Sequence, residues 1–121
     1  MSKVILIVED SPTDMHIAES VCTSNGYQVL TTDEGEKALE IAAEKKPDLI
    51  LLDVILPKQN GFQICRQLKK NPETAGIKVI LVTSKSQPSD KFWGMKQGAD
   101  EYIPKPYNED DLLDAIDKLL L

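Results

Sequence analysis

Residues 4–13, VILIVEDSPT, join an apolar, β-branched run directly to the start of a helix. Because both alternating faces of this run are apolar, it predicts a central strand that is covered on both sides of its sheet. The run ends at the acid pair Glu9-Asp10, after which Ser11 can cap a helix that has Pro12 at its first position. The segment therefore predicts one strand-helix unit with a polar junction where the strand ends.

The same unit recurs along the rest of the chain. Short β-rich runs alternate with longer segments of helical character, and five strands that are each followed by a helix imply a parallel sheet. We therefore expect a doubly wound α/β fold. The predicted strands are Lys3–Val8, Gln28–Thr32, Asp48–Asp53, Lys78–Val82 and Glu101–Pro104.

Local chemistry marks the ends of the predicted helices. The first is expected to end at Asn25-Gly26, because glycine readily takes the left-handed conformation that stops a helix. The boundaries predicted for the others are a second helix from about Asp33 that cannot pass Pro47, a third over about Asn60–Lys70, a shorter fourth after Pro88, and a fifth capped by Asn108.

Composition limits the function classes. The 121 residues, 41% of them hydrophobic, predict a single domain over residues 1–121 with no output domain. A net charge of −6 argues against a nucleic-acid surface, which needs clustered Lys and Arg. The apolar runs are far shorter than the ~20 residues of a membrane span, so we expect a cytoplasmic protein without membrane insertion. Cys22 and Cys65 lack metal-site spacing and are expected to be buried or half-buried thiols.

Polar residues follow four of the predicted strands. Glu9-Asp10 follow the first, Asp53 closes the third, Thr83-Ser84 follow the fourth and Lys105 follows the fifth. Ligand chemistry in an open parallel sheet collects at these carboxyl ends. Three neighbouring carboxylates repel one another, and Mg²⁺ is the cation best suited to relieve that repulsion. With a lysine and a hydroxyl opposite, the pattern indicates phosphoryl transfer.

With these residues in place, the chain resembles the receiver domain of two-component response regulators over essentially its whole length. The resemblance implies a flavodoxin-like, doubly wound (βα)5 fold with strand order 2-1-3-4-5. The motifs that carry it are VILIVEDSPT at 4–13, Asp53-Val54-Ile55-Leu56-Pro57 with Gly61 eight positions after the aspartate, Val79-Ile80-Leu81-Val82-Thr83-Ser84, and Gly98-Ala99-Asp100-Glu101-Tyr102-Ile103-Pro104-Lys105-Pro106.

The resemblance implies a role for each polar group. Asp53 would accept a phosphoryl group from the phosphohistidine of a histidine kinase or phosphotransfer domain. Asp10 and Asp53 would bind Mg²⁺ directly and Glu9 through water, and the backbone carbonyl of Ile55 would add another ligand. Lys105 would make a charge-assisted contact with the phosphoryl oxygens.

The resemblance also implies a conformational switch. The Thr83 hydroxyl would move towards the phosphoryl group and vacate space into which Tyr102 turns, which biases a surface formed by the fourth helix, fifth strand and fifth helix. The alternatives are that Tyr102 is a half-buried strand aromatic and that Thr83 is an ordinary β-branched strand residue. The Lys105-Pro106 peptide bond is expected to be cis.

Some positions depart from the common family pattern. Pro104 stands where a residue with a backbone N–H is usual, and proline is tolerated mainly on edge strands, as the fifth strand is expected to be. Ser84 replaces the more frequent Ala, and Leu56 replaces Met. None of these changes removes a reacting group, but Pro104 and Ser84 bear on the extent of switching.

A narrower resemblance is to stand-alone regulators of type IV pilus twitching motility. It implies a monomer in a chemotaxis-like phosphorelay, with a downstream protein target such as the pilus motor machinery. The positions that carry it are Val82-Thr83-Ser84-Lys85-Ser86-Gln87, Asp90-Lys91, Trp93-Gly94, Gln97-Gly98-Ala99, Asn60-Gly61-Phe62-Gln63 and Arg66-Gln67-Leu68.

Other functions compete with the signalling switch. A phosphatase of the haloacid dehalogenase type also uses an aspartyl nucleophile and Mg²⁺, but it typically has a second acid two residues later, where this chain has Ile55. The chain could instead serve as a phosphate sink. A scaffold that acts without phosphorylation is disfavoured by the complete set of polar groups. We expect no enzyme activity beyond slow autodephosphorylation, with Ile55 and Lys85 flanking the path of the hydrolytic water.

Overall fold

The computed structural model describes residues 2–121, in which strands and helices alternate from end to end. The elements are β1 (Val4–Val8), α1 (Pro12–Ser24), β2 (Gln28–Thr32), α2 (Gly35–Lys45), β3 (Leu49–Leu52), α3 (Gly61–Lys70), β4 (Lys78–Thr83), α4 (Pro88–Lys96), β5 (Glu101–Pro104) and α5 (Glu109–Leu120).

All five strands form one parallel sheet in the order β2-β1-β3-β4-β5, which confirms the predicted fold class and strand order. β1 and β3 are central, and every residue of β3 is buried, as the apolar run predicted. β5 lies at an edge, so Pro104 is accommodated without the loss of an internal ladder hydrogen bond. The next residue, Lys105, donates its backbone N–H to the Thr83 carbonyl at 2.8 Å.

The helices cover both faces of the sheet because alternate strand residues point in opposite directions. Leu6 and Val8 of β1 belong to an apolar cluster with residues of α2 and α3. Ile5 and Ile7 belong to a second cluster with residues of α1 and α5. Burying an aliphatic side chain of this size contributes roughly 1.5–3 kcal/mol, so the two clusters fix the register that brings the carboxyl ends of the strands together.

The observed element boundaries differ from the predicted ones by one or two residues. Asp48 and Asp53 flank β3 instead of belonging to it, although their N–H groups still donate to the carbonyls of Val4 and Val8, at 2.8 and 3.1 Å. The fourth strand extends one residue further, to Thr83, and the first starts at Val4. The second helix begins at Gly35 because Glu34 keeps an extended backbone, with φ of −126°.

The predicted caps are confirmed. Ser11 accepts a hydrogen bond from the Asp14 N–H at 3.3 Å, and Asn108 accepts one from the Asp111 N–H at 2.8 Å. Gly26 has φ of +87°, the left-handed conformation predicted after the first helix. Cys22 and Cys65 are buried free thiols. Among residues 2–121, none of the helices combines the length and apolar character needed to cross a membrane.

Candidate active site

Carboxylates converge at the carboxyl edge of the two central strands. β1 and β3 are neighbours in register, with Val8 opposite Leu52, so the residues that follow them meet. Carboxylate oxygens of Glu9, Asp10 and Asp53 lie within 4.8 Å of one another. Glu9 and Asp53 are buried, each with 6% of its surface exposed, whereas Asp10 is exposed. The structure thus brings the three predicted acids together in a cluster that opens to solvent on one side.

The ammonium group of Lys105 lies against this cluster. Its Nζ is 2.6 Å from Glu9 Oε2, 2.9 Å from Asp14 Oδ2 and 3.1 Å from Asp53 Oδ2. Only 14% of the Lys105 side chain is exposed. An ammonium has three N–H donors, and here all three face carboxylates. The predicted site lysine therefore contacts the predicted acceptor aspartate directly.

Burial and charge shift the pKa values of the groups that meet here. Burial raises the pKa of Glu9 to about 7, with Lys105 acting against this rise and the neighbouring Asp53 adding to it. Burial alone would lower the pKa of Lys105, but its contacts with Glu9 and Asp14 outweigh that effect and raise the pKa above its ordinary value. Lys105 is therefore a permanent cation among acids that outnumber it.

The donor set of the acidic cluster fits Mg²⁺. Carboxylate oxygens are the hard ligands that this ion prefers, and it commonly uses one or two carboxylates while keeping several waters. Two of the three acids are largely withdrawn from water, and a divalent cation would offset their mutual repulsion. The Ile55 N–H donates to Asp53 Oδ1 at 3.0 Å, so the backbone at Ile55 runs beside the same carboxylate. A ligand role for the Ile55 carbonyl stays a prediction.

Gly61 fixes the backbone that presents Asp53. A Cβ atom at this position would lie 2.2 Å from the Asp53 carbonyl oxygen and 2.6 Å from the Val54 Cα. The Gly61 N–H donates to the Val54 carbonyl at 2.8 Å. The start of α3 therefore packs directly on the peptide that carries Asp53, an approach that only glycine allows.

Thr83 and Tyr102 meet through the backbone of Lys85. Thr83 is fully buried, and its Oγ1 accepts from the Lys85 N–H at 3.3 Å. The Tyr102 hydroxyl donates to the Lys85 carbonyl at 2.5 Å, and Tyr102 as a whole is 5% exposed. Burial raises the pKa of Tyr102 to about 12, with Asp90 and Asp53 adding to the rise, so the hydroxyl stays a neutral donor. The two predicted switch residues are linked by one peptide segment.

One further sequence prediction concerns a loop beside the site. The Lys105-Pro106 peptide bond is cis, as expected. Ser84, which follows Thr83, is exposed.

Asp14 is the site residue that the sequence analysis missed. Its position in the first turn of α1 indicates by itself only a favourable interaction with the helix dipole. A usable signal was nevertheless present, because Asp14 lies one helical turn beyond the acid pair at the same sheet edge. Its contact with Lys105 joins residues that are 91 positions apart.

Comparison with known proteins gives one consistent family. The response regulator receiver domain family matches residues 5–117. The chain is 46% identical to the protein PilH of Pseudomonas aeruginosa over 116 residues, which cover 96% of each chain.

Solved structures agree with that match. The signal receiver domain of a histidine kinase from Syntrophus aciditrophicus is 37% identical, with a TM-score of 0.91 over 98% of this chain and 90% of that one. The receiver domain of a sensor histidine kinase from Pseudomonas aeruginosa is 25% identical, with a TM-score of 0.91 over 99% of this chain and 98% of that one. That crystal structure contains a magnesium ion coordinated in the active-site cleft.

Proposed function

The chain belongs to the response regulator receiver domain family, and we propose that it accepts a phosphoryl group on Asp53 from a histidine kinase or phosphotransfer domain. The observation that carries this proposal is the direct contact of Lys105 with an Asp53 carboxylate that is also part of a three-acid cluster. An aspartate that only ended a strand would need neither the lysine nor the neighbouring acids.

The proposed reaction is an in-line displacement. A carboxylate oxygen of Asp53 attacks the phosphorus of a phosphohistidine, an O–P bond forms, and the P–N bond breaks as the imidazole leaves with the electron pair. Phosphoryl transfer depends mainly on positioning and charge neutralisation. Lys105 already donates to the attacking carboxylate and would donate to a phosphoryl oxygen in the product.

Glu9, Asp10, Asp53 and the carbonyl of Ile55 are the groups proposed to hold Mg²⁺. Receiver domains bind this ion at an acidic pocket, and the acidic cluster described above supplies matching oxygen donors. When bound, the ion supplies charge neutralisation for the phosphoryl oxygens. Hydrolysis of the acyl phosphate by water, the slow autodephosphorylation expected from the sequence, would return Asp53 to its carboxylate form.

Thr83 and Tyr102 are proposed to report the state of Asp53. A move of the Thr83 hydroxyl towards a phosphoryl oxygen would break its hydrogen bond with the Lys85 N–H. Because the Lys85 carbonyl accepts from Tyr102, the same segment would carry that change to Tyr102 and to the surface formed by α4, β5 and α5. Such coupling needs only a modest difference in free energy between two arrangements.

We infer that the output is type IV pilus-dependent motility or taxis. The motifs shared with twitching-motility regulators and the 46% identity with PilH support this output. In this proposal residues 1–121 form one receiver domain that acts as a monomer through contact with a downstream protein, such as the pilus motor machinery.

Intact-mass measurement after incubation with a small phosphodonor and Mg²⁺ tests the acceptor. We expect one added phosphoryl group that disappears in Asp53→Asn and when a chelator is present from the start. Asp114→Asn, which removes an exposed acid from α5, is the matched control and should label normally. A label that survives Asp53→Asn contradicts the proposal. Steady turnover of added phosphate esters would favour the dehalogenase-type phosphatase instead.

A genetic test addresses the output. Deletion of the gene should impair twitching motility, and an Asp53→Asn allele should fail to restore it. A Glu44→Gln allele, which removes an exposed acid from α2 and leaves the α4-β5-α5 surface intact, should restore it. Motility that is unchanged by the deletion would rule out the proposed output and leave the phosphorylation chemistry unaffected. Restored motility with Asp53→Asn would show that the output does not depend on phosphorylation.

A further inference from the structure

Asp14 differs from the other two acids that contact Lys105. Glu9 and Asp53 belong to the cluster whose carboxylate oxygens lie within 4.8 Å of one another, and Asp14 does not. Asp14 Oδ2 is nevertheless 2.9 Å from the Lys105 Nζ, closer than Asp53 Oδ2 at 3.1 Å. Lys105 therefore has two partners inside the acidic cluster and one outside it.

This division matters once a divalent cation occupies the cluster. The cation and the Lys105 ammonium repel each other, and both draw on the negative charge of Glu9 and Asp53. The attraction that holds Lys105 to those two carboxylates therefore falls. Asp14 is not one of the clustered acids, so a cation bound there weakens its attraction for Lys105 less.

The backbones that carry Asp14 and Lys105 are both fixed. The Asp14 N–H donates to the Ser11 Oγ at 3.3 Å, in a helix that begins with Pro12. The Lys105 N–H donates to the Thr83 carbonyl at 2.8 Å. The Lys105 side chain is only 14% exposed, whereas Asp14 is 38% exposed, so the pair is screened by water mainly on the Asp14 side.

We propose that Asp14 is a positioning residue that holds the Lys105 ammonium beside Asp53 while Mg²⁺ occupies the acidic cluster. The inference rests on the proposed function, because it concerns the same phosphoryl-transfer site. Asp14 itself touches neither the phosphoryl group nor the cation in this proposal. Its whole effect passes through Lys105.

The kinetic test measures the initial rate of Asp53 labelling by phosphoramidate at saturating Mg²⁺. An ion pair with one partly exposed partner supports a rate reduction of about three- to five-fold in Asp14→Asn. Asp14→Glu, which retains the carboxylate, should recover part of the loss. Glu19→Gln removes the same charge from the same helix away from Lys105, and it should label like the unmodified protein.

A double-mutant cycle separates action through Lys105 from a general structural effect. In a Lys105→Gln background, Asp14→Asn should change the labelling rate by less than about 1.5-fold, because the side chain through which Asp14 acts is then absent. A full three- to five-fold effect that persists without the lysine overturns the inference, as does an Asp14→Asn rate equal to that of Glu19→Gln.

A second readout needs no phosphodonor. Relaxation of the Lys105 ¹³Cε signal in the Mg²⁺-loaded protein should show a restrained side chain in the unmodified protein and in Glu19→Gln, and a mobile one in Asp14→Asn. Equal mobility in all three proteins overturns the inference even if Lys105→Gln is too slow to label. A restrained Lys105 in a protein whose Asp53 takes no label would instead contradict the proposed function alone.

Discussion

Replacing Gly61 with alanine tests how tightly the fold supports the acceptor. The added Cβ would lie 2.2 Å from the Asp53 carbonyl oxygen, far inside van der Waals contact, and 2.6 Å from the Val54 Cα. Both atoms belong to backbone, so no flexible side chain can yield. The start of α3 must therefore move away from the peptide that carries Asp53.

The size of the effect follows from three contributions. Overpacking against rigid atoms costs about 3 kcal/mol. Lengthening the 2.8 Å hydrogen bond from the Gly61 N–H to the Val54 carbonyl costs about 1 kcal/mol more. The better helix propensity of alanine returns at most about 1 kcal/mol. We therefore expect Gly61→Ala to lower the free energy of unfolding by about 3 kcal/mol.

Urea unfolding followed by circular dichroism measures this change, and Gly76→Ala is the matched control. A Cβ at Gly76 would meet nothing within 4 Å, so that variant should be neutral or more stable by a few tenths of a kcal/mol, as expected when the unfolded chain loses freedom. In the Gly61→Ala protein that remains folded, labelling of Asp53 should also be slower, because the peptide that carries Asp53 is displaced. A Gly61→Ala midpoint equal to that of Gly76→Ala would refute the reasoning.

Three further predictions concern stability. Lys69→Met removes an ammonium that lies 2.7 and 3.4 Å from two carbonyl oxygens and 2.9 Å from a carboxylate oxygen. It should lower the free energy of unfolding in urea by about 2 kcal/mol. Lys70→Met, at an exposed position of the same helix, should leave that free energy almost unchanged. Gly94→Ala places a Cβ 2.9 Å from the Tyr102 ring and should lower the urea midpoint despite better helix propensity. Burial and a carboxylate partner raise the Tyr27 pKa to about 12. Tyr27 therefore loses its hydroxyl proton at a lower pH in the unfolded chain than in the folded protein, and the free energy of unfolding should fall between pH 10 and 12. It should fall less steeply over this range in Tyr27→Phe than in the unmodified protein.

The fold was predictable because its signals are local. The apolar runs of β1 and β3 and the Asn60 and Asn108 caps each act over a few residues, and all of them agree with one alternating pattern. Boundaries were less certain because strand-end residues such as Asp53 keep ladder hydrogen bonds while their side chains serve the site. A pattern of hydrophobicity does not separate those two roles.

The candidate site was only partly predictable. The convergence of Glu9, Asp10 and Asp53 follows from parallel strands, since their carboxyl ends share one edge. Which side chains then touch is decided by rotamers and by the packing of loops that are distant in sequence. The link from Thr83 to Tyr102 through the Lys85 backbone belongs to this second class, because nothing in the local sequence specifies the path of that loop.

Two half-buried lysines, Lys69 and Lys105, lie at opposite ends of the sheet and differ in the number of acids around them. Lys69 lies near the amino ends of β4 and β5, where it donates to backbone carbonyls and pairs with the single carboxylate of Asp100. The single negative charge of Asp100 balances the charge of Lys69, and the Asp100 carboxylate also accepts a hydrogen bond from the Val79 N–H. This pair therefore has no excess charge, and its role is to stabilise the fold. Lys105 faces three carboxylates, with a fourth acid in the adjoining cluster. One ammonium cannot neutralise four acids, and the excess negative charge is what a divalent cation would relieve. The excess of acids over ammonium groups, and not the presence of an ion pair, is therefore the feature that distinguishes the candidate site from a structural one.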